Sequence, residues 1–293
     1  METAVQLVMN GIIAGGLYAL VALGFTLIYG ILKIIHFAHG EVFMFAAYIA
    51  WVLNVALGFG IFTSFIVAVL AAGLLGILIE RVFYRPLRKK PAINSLIVAI
   101  GLSLLMQSLA LLIFGAKIRA FSTIGVKEGI SIFGAFITPI QIAVIFISLA
   151  LMVLLLLFIK YTKLGKAVRA ATDNLEVAAV VGIDTDKVIS IIFFVGSMLA
   201  GAAGVLYGIE HSLTITMGIG IIIKAFTASI VGGVGNIRGA LVGGFIIGLV
   251  ENIGVWFIPS GYKDAIAFVI LVIMLVFYPK GMFGSKTEED VRE

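Results

Sequence analysis

An all-α, polytopic transmembrane helix bundle of about 8–9 spans is the fold class this sequence predicts, on three observations. Hydrophobic residues make up 62% of the 293-residue chain and charged ones 12%, against an apolar share of roughly 45–50% in a soluble domain. The apolar residues gather into runs long enough to cross about 30 Å of hydrocarbon, which takes about 20 residues of helix. The charges sit in short stretches between those runs, as in a chain oriented by a bilayer. The net charge of +5 therefore belongs to membrane orientation, and no nucleic-acid partner is expected.

Nine runs qualify: 5–32, 42–59, 61–83, 93–114, 140–159, 188–209, 219–234, 240–258 and 265–278. Only the turn signal Leu57-Gly58-Phe59-Gly60 divides the second from the third. The seventh is short and contains Lys224, so it is read as spanning, re-entrant or broken. Met1 to Gln6 lacks a basic leader region and the first run is long, so helix one is expected to direct insertion without cleavage. With no cysteine in the chain, disulfides and thiolate metal sites are excluded.

Cytoplasmic loops collect Lys and Arg. With the N-terminus outside and nine alternating crossings, the inside holds Lys33, Arg81, Arg85, Arg88, Lys89, Lys90, Lys160, Lys163, Lys166, Arg169, Lys187, Arg238, Lys280, Lys286 and Arg292, most of the 20 basic residues. The chain then reads as one transmembrane permease domain, 1–293, with a periplasmic segment at 115–139, a cytoplasmic loop at 160–187 and a cytoplasmic tail at 280–293. The external segment alternates apolar and polar residues around Gly125, Gly129 and Gly134, which suits short strands or turns.

The stretch 160–187 is the longest polar segment. Within it, 175–181 has the composition of a short helix, with Asp173 or Asn174 to cap its first amides and Gly182 to end it. Gly16-Leu17-Tyr18 in the first run resembles Val205-Leu206-Tyr207 after Gly204 in the sixth, a hint of two related halves. Many of the 34 glycines present small faces for helix packing. The run Gly232-Gly233-Val234-Gly235-Asn236-Ile237-Arg238-Gly239 is too glycine-rich for a good helix, and non-helical backbone at a membrane is tolerated where protein or a wet cavity surrounds it. Its spacing is not that of a dinucleotide fingerprint, and no Gly-x-x-x-x-Gly-Lys-Ser/Thr occurs, so this chain offers no P-loop for ATP.

His36, His39 and Glu41 are close enough in sequence to raise a metal or acid/base site, but the better reading is a helix break near the inner interface, where they bond freed backbone amides. Glu41 also suits the positive N-terminus of the second helix. Ionisable residues inside apolar runs are costly and face a bundle interior or a water path. Here these are Glu210, Lys224 and Glu251, with Lys224 expected to pair with Glu210 or Glu251 as glue or as part of a passage.

Several blocks in one order carry a family resemblance: Gly16-Leu17-Tyr18-Ala19-Leu20, Phe37-Ala38-His39-Gly40-Glu41, Glu80-Arg81 with Arg85-Pro86-Leu87-Arg88, Gly101-Leu102-Ser103 with Gln107, Gly165-Lys166-Ala167-Val168-Arg169 with Asp173, and Gly232-Gly233-Val234-Gly235 through Gly248 to Glu251. Together they resemble the first of the two permease subunits of bacterial branched-chain amino acid ABC importers. The resemblance implies an inner-membrane, multi-pass subunit with a cytoplasmic C-terminus. It implies as partners a second homologous permease, two cytoplasmic ATPases that bind the ATP, and a periplasmic substrate-binding protein. This chain would be no enzyme and would hold no cofactor. Glu176-Val177-Ala178-Ala179 with Gly182 resembles the Glu-Ala-Ala-x-x-x-Gly loop of ABC importers, Val177 standing for the first alanine. The residues implied for ATPase coupling are Gly165, Arg169, Asp173, Glu176, Ala178, Ala179 and Gly182. The translocation-path or helix-break candidates are His39, Glu41, Glu210, Lys224, Gly232, Gly233, Gly235 and Glu251. His36 stands where the family is expected to carry asparagine, and urea and short-amide importers share much of the pattern. Other readings of the same residues are an ion-coupled secondary carrier, a membrane enzyme built on His36, His39 and Glu41, and a passive channel.

Overall fold

The computed structural model describes residues 2–88, 90–121, 129–132 and 134–283. Lys89, Gly125, Lys127, Lys286, Arg292 and the tail from 284 onward lie outside the described residues.

Eleven α-helices carry the described chain. They are α1 (Glu2–Leu32), α2 (His39–Trp51), α3 (Ile61–Ile79), α4 (Ala92–Phe114), α5 (Pro139–Tyr161), α6 (Lys163–Asp173), α7 (Leu175–Val180), α8 (Thr185–Glu210), α9 (Met217–Gly232), α10 (Ile237–Gly254) and α11 (Lys263–Phe277). A π-helical turn, Val52–Ala56, extends α2, and π and 3-10 turns carry α3 on to Leu87. With those extensions, and the 3-10 turn Ser260–Tyr262 that leads into α11, eight helices among the described residues are long and apolar enough to cross a membrane, while α9, at 16 residues, is shorter. Each of the nine apolar runs is thus a helix. The stretch 115–139 contributes the antiparallel hairpin β1 (Ile130–Ile132) and β2 (Ala135–Ile137), with Ser131 opposite Phe136.

Helices α1, α2 and α8 form the centre. Leu17 to Leu23 and Phe25 in α1, Val42 to Met44 in α2 and Phe193 in α8 are buried. By contrast α3, α4, α5 and α11 turn large apolar side chains outward, among them Phe62, Leu112, Phe146 and Phe277. In hydrocarbon that exposure costs nothing, and cohesion comes from close backbone approach and internal polar pairs.

The two halves of the chain repeat each other. Residues 33–38 separate α1 from α2, and 211–216 separate α8 from α9, six residues in each case. The amides that start α2 and α9 find matching partners: His39 N–H donates to the His36 carbonyl and Met217 N–H to the Thr214 carbonyl, Glu41 N–H to Ala38 and Ile219 N–H to Thr216. These turns satisfy donors that a helix start otherwise leaves open. α1 packs on α10 as α8 packs on α3. Because α8 is the sixth pass and α1 the first, the repeats run in opposite senses across the bundle. The equivalence aligns Tyr29-Gly30-Ile31 with Tyr207-Gly208-Ile209, so the sequence match of Tyr18 to Tyr207 was the wrong register.

The repeats meet at Gly40 and Gly218, each the second residue of its helix. A Cβ on Gly218 would come within 2.6 Å of the Gly40 carbonyl oxygen, and one on Gly40 would overlap the Gly218 carbonyl. No residue but glycine fits either position without moving a helix.

Gly40→Val is therefore expected to lower the thermal midpoint of the solubilised protein, at the upper end of the roughly 1–3 kcal/mol that overpacking costs. Gly101→Ala, whose added Cβ meets nothing within 4 Å, should melt like the parent. Equal melting of both variants would refute the close approach.

Candidate functional site

Two groups of residues stand out. The first is the loop between α5 and α8. Thr162 turns the chain at the end of α5, its hydroxyl accepting from Gly165 N–H at 2.8 Å and donating to the Phe158 carbonyl at 2.7 Å. Gly165 lies directly on the Phe158 and Ile159 carbonyls, where no side chain fits. Arg169 Nη1 donates to the Ile159 carbonyl at 2.7 Å, so this guanidinium caps the last turn of α5. Arg169 is thus a latch within the chain, although its charge reads as a contact for a partner. The helix it sits on, α6, is a separate element within a stretch that reads as loop in sequence.

The short α7 follows. The Asn174 side chain accepts from the Glu176 and Val177 amides at 3.0 Å each, making Asn174 the cap of the two capping candidates. Gly182, at φ 88°, ends the turn, and Ile183 N–H closes back on the Ala178 carbonyl, a Schellman arrangement. Ala178 faces inward, while Asp173, Glu176, Ala179 and Gly182 are exposed. Val177, Val180 and Val181 are 56%, 86% and 69% exposed. Three exposed valines, with the exposed carboxylates of Asp173, Glu176 and Asp184 close by in sequence, form a small apolar knob.

The knob is tied to two long helices. Asp184 caps α8, accepting from Lys187 N–H at 3.1 Å, and the hydrogen bond from the Lys187 ammonium holds its carboxyl below the usual carboxylate range. Asp186 in the first turn of α8 pairs with Arg85 and Arg88 beyond the end of α3. Arg88 also pairs with the buried Glu80, which accepts from Ser190 of α8 at 2.8 Å. In the sequence these arginines mark topology and form part of the family resemblance, and nothing local shows that Asp186 lies beside them.

The second group lies inside the bundle. Lys224 of α9 contacts Glu251 of α10 at 2.5 Å, Asp264 of α11 at 2.8 Å and the Tyr18 hydroxyl of α1 at 3.1 Å. Of the two partners expected for Lys224, only Glu251 is one. Glu210 instead accepts from Gln141 Nε2 at 2.9 Å, and Gln141 is itself fixed by its reciprocal cap with Thr138 at the start of α5. Asp264 and Tyr18 were missed, the first because it reads as the edge of a loop.

His39 and Glu41 are fully buried, beside mid-helix positions of their neighbours, not at the interface expected for them. The His39 ring lies against Gly24 of α1. Glu41 Oε1 accepts from Ser103 and Gln107 of α4, both at 2.8 Å, so side chains satisfy it where freed amides were expected. Its place in the first turn of α2 is as expected. His36 Nδ1 meets the Tyr84 hydroxyl at 2.8 Å. Gly232 ends α9, and Gly233 and Gly235 take positive φ (94° and 89°) in the turn into α10. Gly232 lies directly on the Gly239 carbonyl, so this run is a tight interhelical turn. Met282 N–H and the Phe283 carbonyl dock on that turn through Val231 and Asn236.

Comparison with known proteins places this geometry. The family described as branched-chain amino acid transport system, permease component, matches residues 7–275. The chain is 37% identical to the high-affinity branched-chain amino acid transport system permease protein LivH of Salmonella typhimurium, over 98% of this chain and 97% of that one. It is also 37% identical to the corresponding protein BraD of Pseudomonas aeruginosa, with the same coverage. A relative from Methanocaldococcus jannaschii is 31% identical over 95% of this chain and 92% of its own. Among solved structures, PsaBC from Streptococcus pneumoniae in complex with Fab shares the fold at a TM-score of 0.52, with 14% identity, 97% of this chain and 94% of that one covered.

Removing one partner of a buried ion pair strands the other, at a cost of about 3–5 kcal/mol. Lys224→Met should therefore sharply reduce the yield of folded, monodisperse protein, and Lys224→Met with Glu251→Met should recover most of it. A double variant no better than the single would show that the pair is not what Lys224 stabilises.

Proposed function

The chain belongs to the branched-chain amino acid transport system permease component family, and on that premise we propose that it imports branched-chain or other hydrophobic amino acids across a bacterial inner membrane. It does so as one subunit of an ATP-driven assembly. The observation that carries the reading is the similarity to LivH and BraD along virtually the whole length of each protein. The sequence has no phosphate-binding loop of its own, so the energy comes from ATPase subunits beside it. A second homologous permease and a periplasmic binding protein complete the assembly.

In this reading the valine knob on α7 faces the cytoplasm and seats in a groove of an ATPase, with the exposed Glu176 and Asp173 close by in sequence. The direction follows from the basic residues: Lys160, Lys163, Lys166 and Lys187 flank the knob, and such residues stay on the cytoplasmic side. When nucleotide draws the ATPases together, the knob moves with them. Asp184 and Asp186 pass that displacement to α8 and, through Arg85, Arg88 and Glu80, to α3. α8 belongs to the packed centre and α3 packs along it, so the bundle rocks as a body about its repeats. The hairpin end then faces the periplasm and the binding protein.

A single cysteine tests the orientation, because the chain contains none. In membranes that carry this chain without its ATPases, Val180→Cys should react with a membrane-impermeant maleimide in inside-out vesicles and stay unlabelled in intact spheroplasts; the opposite pattern overturns the orientation. Val180→Asp should cut ATP-driven leucine uptake by about tenfold or more, as loss of a buried apolar anchor does at an interface, while the ATPases keep their basal hydrolysis. Undiminished uptake would remove the knob from the coupling path.

A further inference from the structure

We infer that the cavity walled by α1, α8, α9, α10 and α11 is a binding site for a free zwitterionic amino acid, held within this one permease subunit. The inference rests on the proposed function for its ligand class and goes beyond it in assigning a place and residues.

The cavity has a volume of about 530 Å³, within the usual range for small-molecule sites of roughly 300–1,000 Å³. Charged side chains in a membrane bundle are expensive and mark functional positions, and this cavity is lined by four: Glu210, Lys224, Lys263 and Asp264. Lys224 is already saturated by Glu251, Asp264 and Tyr18. Two groups retain capacity. Glu210 bonds Gln141 through Oε1, and its buried Oε2 has no hydrogen-bond partner among the described residues. Lys263 donates to the Asn252 side chain at 3.1 Å, which uses one of the three donors of an ammonium.

An amino acid brings what each lacks: its ammonium for the Glu210 carboxylate, whose unpartnered oxygen reaches the ligand once the side chain turns into the cavity it lines, and its carboxylate for Lys263. Ile13 and Leu17 of α1 with Met217 and Ile221 of α9 supply the apolar part of a lining that also carries Asn10, Tyr207 and Thr214, and a branched aliphatic side chain packs against that part. Gly220 also lines the cavity, and a Cβ there would meet nothing within 4 Å. A larger residue at 220 thus enters the open space without displacing a helix.

The test uses the assembled transporter in nanodiscs without its binding protein, with radiolabelled L-leucine in equilibrium dialysis. Wild type should bind leucine, and Glu210→Gln and Lys263→Met should each bind about tenfold more weakly or worse, the effect of losing one charge-assisted hydrogen bond. Binding of 4-methyl-2-hydroxypentanoate, which has no ammonium, should be the same in wild type and Glu210→Gln. Gly220→Leu should block leucine binding with an unchanged melting curve, and it decides the matter if either charge variant fails to fold. Wild type that binds no leucine, or three variants that bind it as wild type does, overturns the site. In parallel, the complete wild-type system with binding protein and ATP is assayed for leucine uptake. Uptake alongside unaffected variants sinks the cavity site alone, whereas no uptake of any branched-chain amino acid sinks the functional reading itself.

Discussion

The meeting of two helix starts, backbone against backbone, is the constraint on which the rest of the bundle depends. In hydrocarbon no hydrophobic force presses helices together, so proximity must come from small residues and from internal polar pairs. Gly40 and Gly218 supply the first, each carbonyl occupying the space where the other residue would carry a side chain. A helix start inside a membrane also exposes amides that neither lipid nor the helix can satisfy. The turns at 36–38 and 214–216 meet that need by donating His39 and Met217 back onto His36 and Thr214. Only with both conditions met can α2 and α9 begin beside the middle of their neighbours instead of at a surface.

The backbone repeat is decorated unequally. Under the equivalence of Gly40 with Gly218, Glu41 corresponds to Ile219 and Lys224 to Ala46. The first half therefore keeps a carboxylate at its helix start, bound by Ser103 and Gln107 of α4. The second half places its charge about one and a half turns further on, bound by Glu251 and Asp264. Packing is conserved between the halves where small residues touch, and chemistry diverges where polar groups face inward. The cavity beside Lys224 thus lies with the half that carries its charge within α9.

What the sequence made legible follows from which signals are local. Hydropathy is local, so all nine helices could be read from runs of apolar residues. Capping is local too: Asn174 and Gly182 bracket α7 as their side-chain chemistry requires. The start of α2 was misplaced because His36, His39 and Glu41 are polar enough to look like an interface, and only contacts from α1, α3 and α4 reveal them as interior. α6 was hidden because its lysines face outward and its short apolar face, Val168 and Ala171, covers too little to register. The pairing of Lys224 needed three dimensions: Glu210 is nearer in sequence, yet Glu251 and Asp264 are its partners.

Arg169 is exposed and at the same time tied within the chain. Its guanidinium is engaged with the Ile159 carbonyl, so α6 is fastened to α5 and is poorly placed to move alone. α7 is different: it is fastened at its far end to α8 through Asp184 and Asp186, and from there to α3 through Arg85, Arg88 and Glu80. A load on the valine knob therefore bears on the α3–α8 pair while α5 and α6 act as a fixed support. α8 packs in turn on α1 and α2, the helices that hold one side of the Gly40–Gly218 contact. The route from an exposed apolar knob to the centre of the bundle thus runs through ion pairs at one end and glycine contacts at the other, without passing through a flexible segment.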